Sequence, residues 1–356
     1  GGYGGGGGGF ECRGSLVSSA VSAVDASGNV ETLEHPNVIL PLDLALSPVG
    51  TSQNFGLASA AIVSGGATVD DPKDATDTFP AALSAQVAPA SVPGQRNFVD
   101  PCFSEVGVES RGIQRTTAVA YTPDGYLVRQ TQNPHRVIIE DVSTLELPGP
   151  STFDTGHDLF FGDAGGGIAC ASCHAEGADD GMTWNFVELG PRRTQEIRGG
   201  IMDTAPFHWD GDMNDLTHLT HDVMGERMSG PELPADYVQV LARWMDNLKF
   251  PAREVPADLA SVERGREIFH SAQAACASCH SDDRMGADAA FDVGTGIVAH
   301  VPGLMGVSLR PPFMHTGCAQ TMRDRFAPGC GGTSHGSVAH LDEQGLSDLI
   351  VYLESL

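Results

Sequence analysis

The chain has 356 residues, 41% of them hydrophobic, which leaves room for two or three domains with ordinary cores. With 46 Asp+Glu against 20 Lys+Arg and a formal net charge of −26, it lacks the basic surface that nucleic acid or anionic membrane would require. It contains no apolar run long enough to span a bilayer and no N-terminal signal segment, so its form is expected to be the mature one.

In chain order, residues 1–9 are eight glycines and one tyrosine, a tail with nothing to bury. Residues 10–150 read as β. Short alternating runs (Val21–Val24, Leu44–Leu46, Ala118–Tyr121, Tyr126–Val128 and Val137–Glu140) are separated by turn signals such as Thr122-Pro-Asp-Gly125. Leu44-Ala-Leu-Ser-Pro-Val-Gly50 and Val119-Ala-Tyr-Thr-Pro-Asp-Gly125 look alike, as propeller blades do. About 140 residues hold only two to three blades, so a partial propeller and a small sandwich both stand. Residues 66–98, rich in Ala, Ser, Pro and Asp, read as a long surface loop.

From Ser151 the pattern turns helical. Tyr237, Leu241, Trp244, Met245 and Leu248 share one face of a predicted helix over 234–248, and Leu346, Leu349, Ile350, Leu353 and Leu356 one over 342–356. Pro251 to Pro256 is the natural linker. The expected organisation is a tail (1–9), a β-rich domain (10–150) and two helical domains (151–250 and 257–356), an α+β multidomain chain.

Both helical stretches carry one signature. Gly156-x-x-x-Phe160, Cys170-Ala-Ser-Cys173-His174, Pro206-Phe207 and Gly211 recur as Gly265-x-x-x-Phe269, Cys276-Ala-Ser-Cys279-His280, Pro312-Phe313 and Gly317, with the same Cys-to-Pro spacing. This is a duplication. Cys-x-x-Cys-His is the attachment motif of a c-type haem: the thiols add to the vinyl groups and the histidine is the proximal iron ligand. A zinc site would need two more ligands at fixed spacing, and a redox dithiol needs no adjacent histidine. Two copies imply two haems, two class I-type cytochrome c domains and export to the periplasm or beyond.

The sixth ligands are expected just before each final helix. Met228 and His335 lie at nearly the same distance beyond Gly211 and Gly317, giving His174/Met228 for haem 1 and His280/His335 for haem 2. Met224, His218 and His221 are alternatives for haem 1, and Met314 and His340 for haem 2. Thioether ligation raises the potential and bis-imidazole ligation lowers it, so haem 1 would be the high-potential site. The other cysteines suit disulfides of an oxidising compartment: Cys318 with Cys330, bracketing the loop to His335, and Cys12 with Cys102.

From Gly156 to the C-terminus these motifs, with Asp179-Asp-Gly181, Arg193-Thr194, Ala205-Pro-Phe-His-Trp-Asp-Gly211 and Arg310-Pro-Pro-Phe-Met-His-Thr-Gly317, resemble the bacterial di-haem cytochrome c peroxidase family. The resemblance implies electron passage between the haems, often through a tryptophan (Trp184 or Trp209), a role for His315 in the second copy's Pro-Phe-x-His element, and commonly a calcium ion. Arg192, Arg193 and Arg310 are candidate haem-propionate partners, and Glu188 and Glu196 positional candidates for an acid–base carboxylate. The ligand order found here is the reverse of the family's usual one. Three functions follow: electron transfer with a redox partner of cytochrome or cupredoxin type; a di-haem peroxidase or oxidase in which His335 leaves its iron; or a docking module in a larger assembly, acting through the β-rich region.

Overall fold

The structure, a computed structural model, describes residues 19–24, 27–28, 30–35, 41–46, 59–64, 76–80, 116–132, 134–150, 154–162, 164, 168–186, 189–228, 230–252 and 258–356. The glycine tail, Cys12, Cys102, Glu188 and most of the Pro251–Pro256 linker lie outside them. It is a mixed α/β chain that divides into two compact units. One comprises Cys173–Thr220 and Ala242–Leu356; the other takes the described residues up to Ser172 together with His221–Leu241.

Among the described residues the N-terminal part is all antiparallel strand. β1 (Ser19–Val24) pairs with β2 (Val30–His35); β3 (Pro41–Leu46), β4 (Ser59–Ser64) and β5 (Thr76–Pro80) form a three-stranded sheet. β6 (Thr116–Tyr121), β7 (Leu127–Gln132), β8 (His135–Ile139) and β9 (Ser143–Glu146) make a four-stranded meander. The five predicted strands fall on β1, β3, β6, β7 and β8. β5 corrects the reading of 66–98 as loop throughout: Thr76–Pro80 pairs along β4, and its Thr-Asp-Thr-Phe alternation is too short to stand out in the sequence. The β6–β7 turn is as the Pro-Asp-Gly signal requires, with the Gly125 N–H donating to the Thr122 carbonyl at 2.9 Å and Gly125 at φ 89°. Val119 on β6 is buried against Ala45 on β3, Tyr121 and Leu127, which joins the meander to the three-stranded sheet. A four-stranded antiparallel meander has the form of a propeller blade.

α1 (Thr155–Phe161) begins on Asp154, whose carboxylate accepts from the Gly156 N–H at 2.8 Å. β10 (Thr183–Phe186) and β11 (Gly190–Arg193) form a hairpin. α2 (Leu216–Leu219), capped by Asp215, runs into a π-helical stretch, Thr220–Arg227, and α3 (Ala235–Asp246) follows Pro234. In the second copy come α4 (Leu259–Phe269), the hairpin of β12 (Ala287–Asp292) and β13 (Val298–Val301), and α5 (Glu343–Ser355). No described helix is long and apolar enough to cross a membrane.

The Gly-x-x-x-Phe signal has a packing reason. On α4 a Cβ at Gly265 would lie 2.0 Å from the Asp348 carbonyl oxygen, so only glycine lets α5 approach this closely. One turn on, Phe269 is 1% exposed and packs with Met322, Leu349, Tyr352 and Leu353. Asp348, on the same crossing, accepts from Ser261 Oγ (2.6 Å), Arg264 Nε (2.6 Å) and Gln344 Nε2 (3.0 Å). These partners, Arg264 foremost, hold its carboxyl well below the usual range.

Candidate haem-attachment sites

In the second copy the Cys-x-x-Cys-His motif opens on a single 3-10 turn, Cys276–Ser278, a short turn segment beyond the end of α4 at Phe269. His280 is buried, and its Nδ1 lies 2.7 Å from the Met285 carbonyl oxygen, which holds the N–H on Nδ1 and leaves Nε2 as the nitrogen able to take a metal. In the first copy His174 Nδ1 is 2.9 Å from the Gln195 carbonyl oxygen, the same device built from a more distant segment. Burial lowers both imidazoles' pKa, which favours the neutral form that binds metal.

His335 faces His280. Their ring centroids are 6.2 Å apart and their planes 31° from parallel. Two metal–imidazole bonds of about 2.0–2.1 Å, plus the distance from each nitrogen to its ring centre, span roughly 6.4 Å. The gap therefore fits one iron between two imidazoles. Burial, then the charges of Arg325, His280 and His315, push the His335 pKa down to about 3, so it too is neutral. Of its alternatives, His340 is exposed, and Met314 sits in the left-handed turn before His315.

Met228 and Met224 are both buried, with Ala164, Ile168 and the Cys170 side chain in one cluster. The π-helix carries Met224, and its widened turn bonds the Met228 N–H to the Val223 carbonyl. Sequence distance alone separated the two methionines; their packing does not. His218 Nδ1 accepts from the Asn214 N–H, and exposed His221 pairs with Glu232, so both serve local roles.

Cys318 and Cys330 form the expected disulfide, with Cα atoms 5.8 Å apart. Trp184 Nε1 donates to Asp180 and Thr194; Trp209 Nε1 donates to the Arg193 carbonyl, and its ring meets that of His315 at 5.9 Å. Glu196 is clamped by Arg198 through both carboxylate oxygens at 2.8 Å, which occupies the group named as an acid–base candidate. Arg192 is spent on Asp210 and on the carbonyls of Leu189 and Pro191.

A tightly packed protein leaves few buried polar atoms unbonded. Among the described residues the side-chain atoms buried without a hydrogen-bond partner include Nε of Arg193 and of Arg310, Nη1 of Arg325, Nε2 of His300 and of His315, and Nδ1 of His335, beside Arg136 Nε, Asp158 Oδ2 and Thr295 Oγ1 elsewhere in the chain. Sequence reasoning named Arg193, Arg310, His315 and His335. It missed Arg325, which no motif marks, and His300, which has a signal only as the second-copy hairpin residue next to Val301. Among the described residues no three His, Cys, Asp or Glu side chains converge as a calcium or other bare metal ion would need.

No protein-family model matches the chain. It is 27% identical to hydrazine synthase subunit gamma of Kuenenia stuttgartiensis over 261 residues, covering 54% of this chain and 72% of that one. A solved chain of Kuenenia stuttgartiensis hydrazine synthase, from a crystal pressurised with xenon, superposes with TM-score 0.50 at 23% identity, over 57% of this chain and 86% of that one. A MauG-like protein associated with microbial copper homeostasis aligns with TM-score 0.44 at 13% identity, over 56% of this chain and 86% of that one. The chain is a distant relative of hydrazine synthase subunit gamma and shares a fold with a chain of that enzyme.

Proposed function

We propose that this chain is a di-haem c-type cytochrome that passes electrons between two covalently bound haems and an external redox partner. Residues 151–250 and 257–356 are its two cytochrome c domains, exported to the periplasm or beyond. The single observation that carries the reading is the facing pair His280 and His335, 6.2 Å apart beside a Cys-x-x-Cys-His motif. Cys170, Cys173 and His174, with Met228, would hold haem 1; Cys276, Cys279, His280 and His335 would hold haem 2. Arg310, with an unbonded buried Nε, would offer charge to a propionate; Arg193, the other candidate, keeps an unbonded Nε but pairs with Asp179 at 2.7 Å. The haems supply reversible one-electron chemistry. The chain's own part would be to hold the His280 and His335 imidazoles neutral and facing each other.

The test is haem stoichiometry and spectroscopy on the exported protein. Two covalent haems per chain, both low-spin and unchanged by peroxide at half-reduction, are expected. A chain without covalent haem overturns the reading.

A second reading is favoured by the relationship to a protein named as a subunit: electron transfer here would take place within a larger redox assembly, docked through the β-rich region. Co-purification with a stoichiometric partner, lost on deleting 10–150, is its test. A peroxidase or oxidase chemistry has less support: of the two carboxylates named for it, Glu196 is held by Arg198, and Glu188 lies outside the described residues.

A further inference from the structure

Arg325 stands apart from its neighbours. Arg264, Arg266 and Arg323 pair with Asp348, Glu263 and Glu343, but among the described residues no carboxylate lies within ion-pair distance of Arg325. It belongs to the 3-10 turn Asp324–Phe326, inside the loop closed by the Cys318–Cys330 disulfide. Its Cζ lies 4.5 Å from the Phe326 ring centroid, its Nη2 donates to the carbonyl of His335, and its Nη1 is buried without a partner. A Cβ on Gly336 would lie 3.5 Å from Cys276 Sγ and 3.7 Å from Arg325 Nη2, so the guanidinium and Cys276 flank the same glycine, next to His335. A guanidinium is a cation at neutral pH.

A guanidinium whose Nη1 is buried without a partner or counter-charge is unfavourable unless an anion completes it. We propose that Arg325 is the anion-binding and positioning residue of the second site: Nη2 holds the His335 backbone, and Nη1 receives a carboxylate of the haem. A guanidinium fork suits this double task, where an ammonium would supply charge without the fixed geometry. The inference rests on His280 and His335 as axial ligands.

The experiment is a redox titration followed by optical and EPR spectra on the full-length holo-protein, wild type beside R325Q and R325K. Haem content should stay at two per chain, because the thioethers at Cys276 and Cys279 do not need Arg325. In R325Q the potential of the bis-imidazole haem should shift lower while the other stays in place, and a high-spin fraction should appear as His335 loosens. R325K should keep most of the potential and still show the high-spin fraction. An R325Q protein with unshifted potential and a wholly low-spin spectrum overturns the proposal. If R325Q does not accumulate, R325K decides alone: a spectrum identical to wild type overturns it. Failure of the underlying reading shows differently, as a wild type without a bis-imidazole signal.

Discussion

Trp209 and His315, equivalent residues of the two copies, meet edge to face with ring centroids 5.9 Å apart and planes at 61°. Around them the copies exchange backbone hydrogen bonds. The Arg193 N–H of one hairpin donates to the His315 carbonyl at 2.7 Å, and the His300 N–H of the other donates to the Trp209 carbonyl at 2.7 Å. The neighbouring turns match as well: His208 and Met314 have φ of 69° and 71°, Gly211 and Gly317 of 63° and 64°. A Cβ on Gly317 would lie 2.3 Å from Thr183 Oγ1, so the turn of one copy fits against the hairpin of the other.

Trp209→Ala should lower stability by about 2–4 kcal/mol, below the cost for a fully buried tryptophan because Trp209 is only partly buried. Trp209→Phe keeps the ring and loses the bond to the Arg193 carbonyl, costing about 1 kcal/mol. Denaturant midpoints of the two variants check the order.

Gly265→Ala places a methyl 2.0 Å from the Asp348 carbonyl oxygen and 2.6 Å from Tyr352 Cβ. Both obstacles are parts of α5 that cannot rotate away, so α4 and α5 must separate. The expected loss is about 1–3 kcal/mol. A fall in thermal midpoint reads it out, and an unchanged midpoint would show that the crossing relaxes freely.

Asp348 sets an acid limit. Its folded-state pKa is depressed below the unfolded value, so its contribution is complete above the unfolded carboxylate range and is lost as pH falls toward the folded value. Unfolding stability should therefore drop below about pH 4, and less so in Asp348→Ala. That variant should itself cost about 1–3 kcal/mol at pH 7, with the exposed side of Arg264 screened by solvent. Denaturation curves from pH 2 to 7 for both proteins test this.

Met228 and Met224 call for a paired comparison. The proposed ligand is Met228, so Met228→Ala should lower the potential of haem 1 and Met224→Ala should leave it in place. The reverse result would move the ligand four residues back along the π-helix.

What was legible in the sequence is what spacing carries. The duplication and the place of His335 opposite His280 follow from matching one copy against the other, and the Cys318–Cys330 pairing from the way those cysteines bracket the loop to His335. The helices over 235–246 and 343–355 follow from apolar periodicity. Arg325 was not legible, because a lone arginine in a loop reads as solvated until its neighbours are known. Nor was the exchange between hairpins: β10 and β11 carry Thr-Trp-Asn-Phe and Gly-Pro-Arg-Arg, with no alternation to mark them as strands. Their pairing is set by what the other copy offers.

That exchange also governs timing. A chain made from its N-terminus presents Cys170 and Cys173 well before the partners of Arg193, the carbonyls of Pro311 and His315, have emerged; Pro311 lies 118 residues further along. Until the second copy has been made, the hairpin of the first lacks these long-range partners, so the order of the chain delays the closing of its last hydrogen bonds.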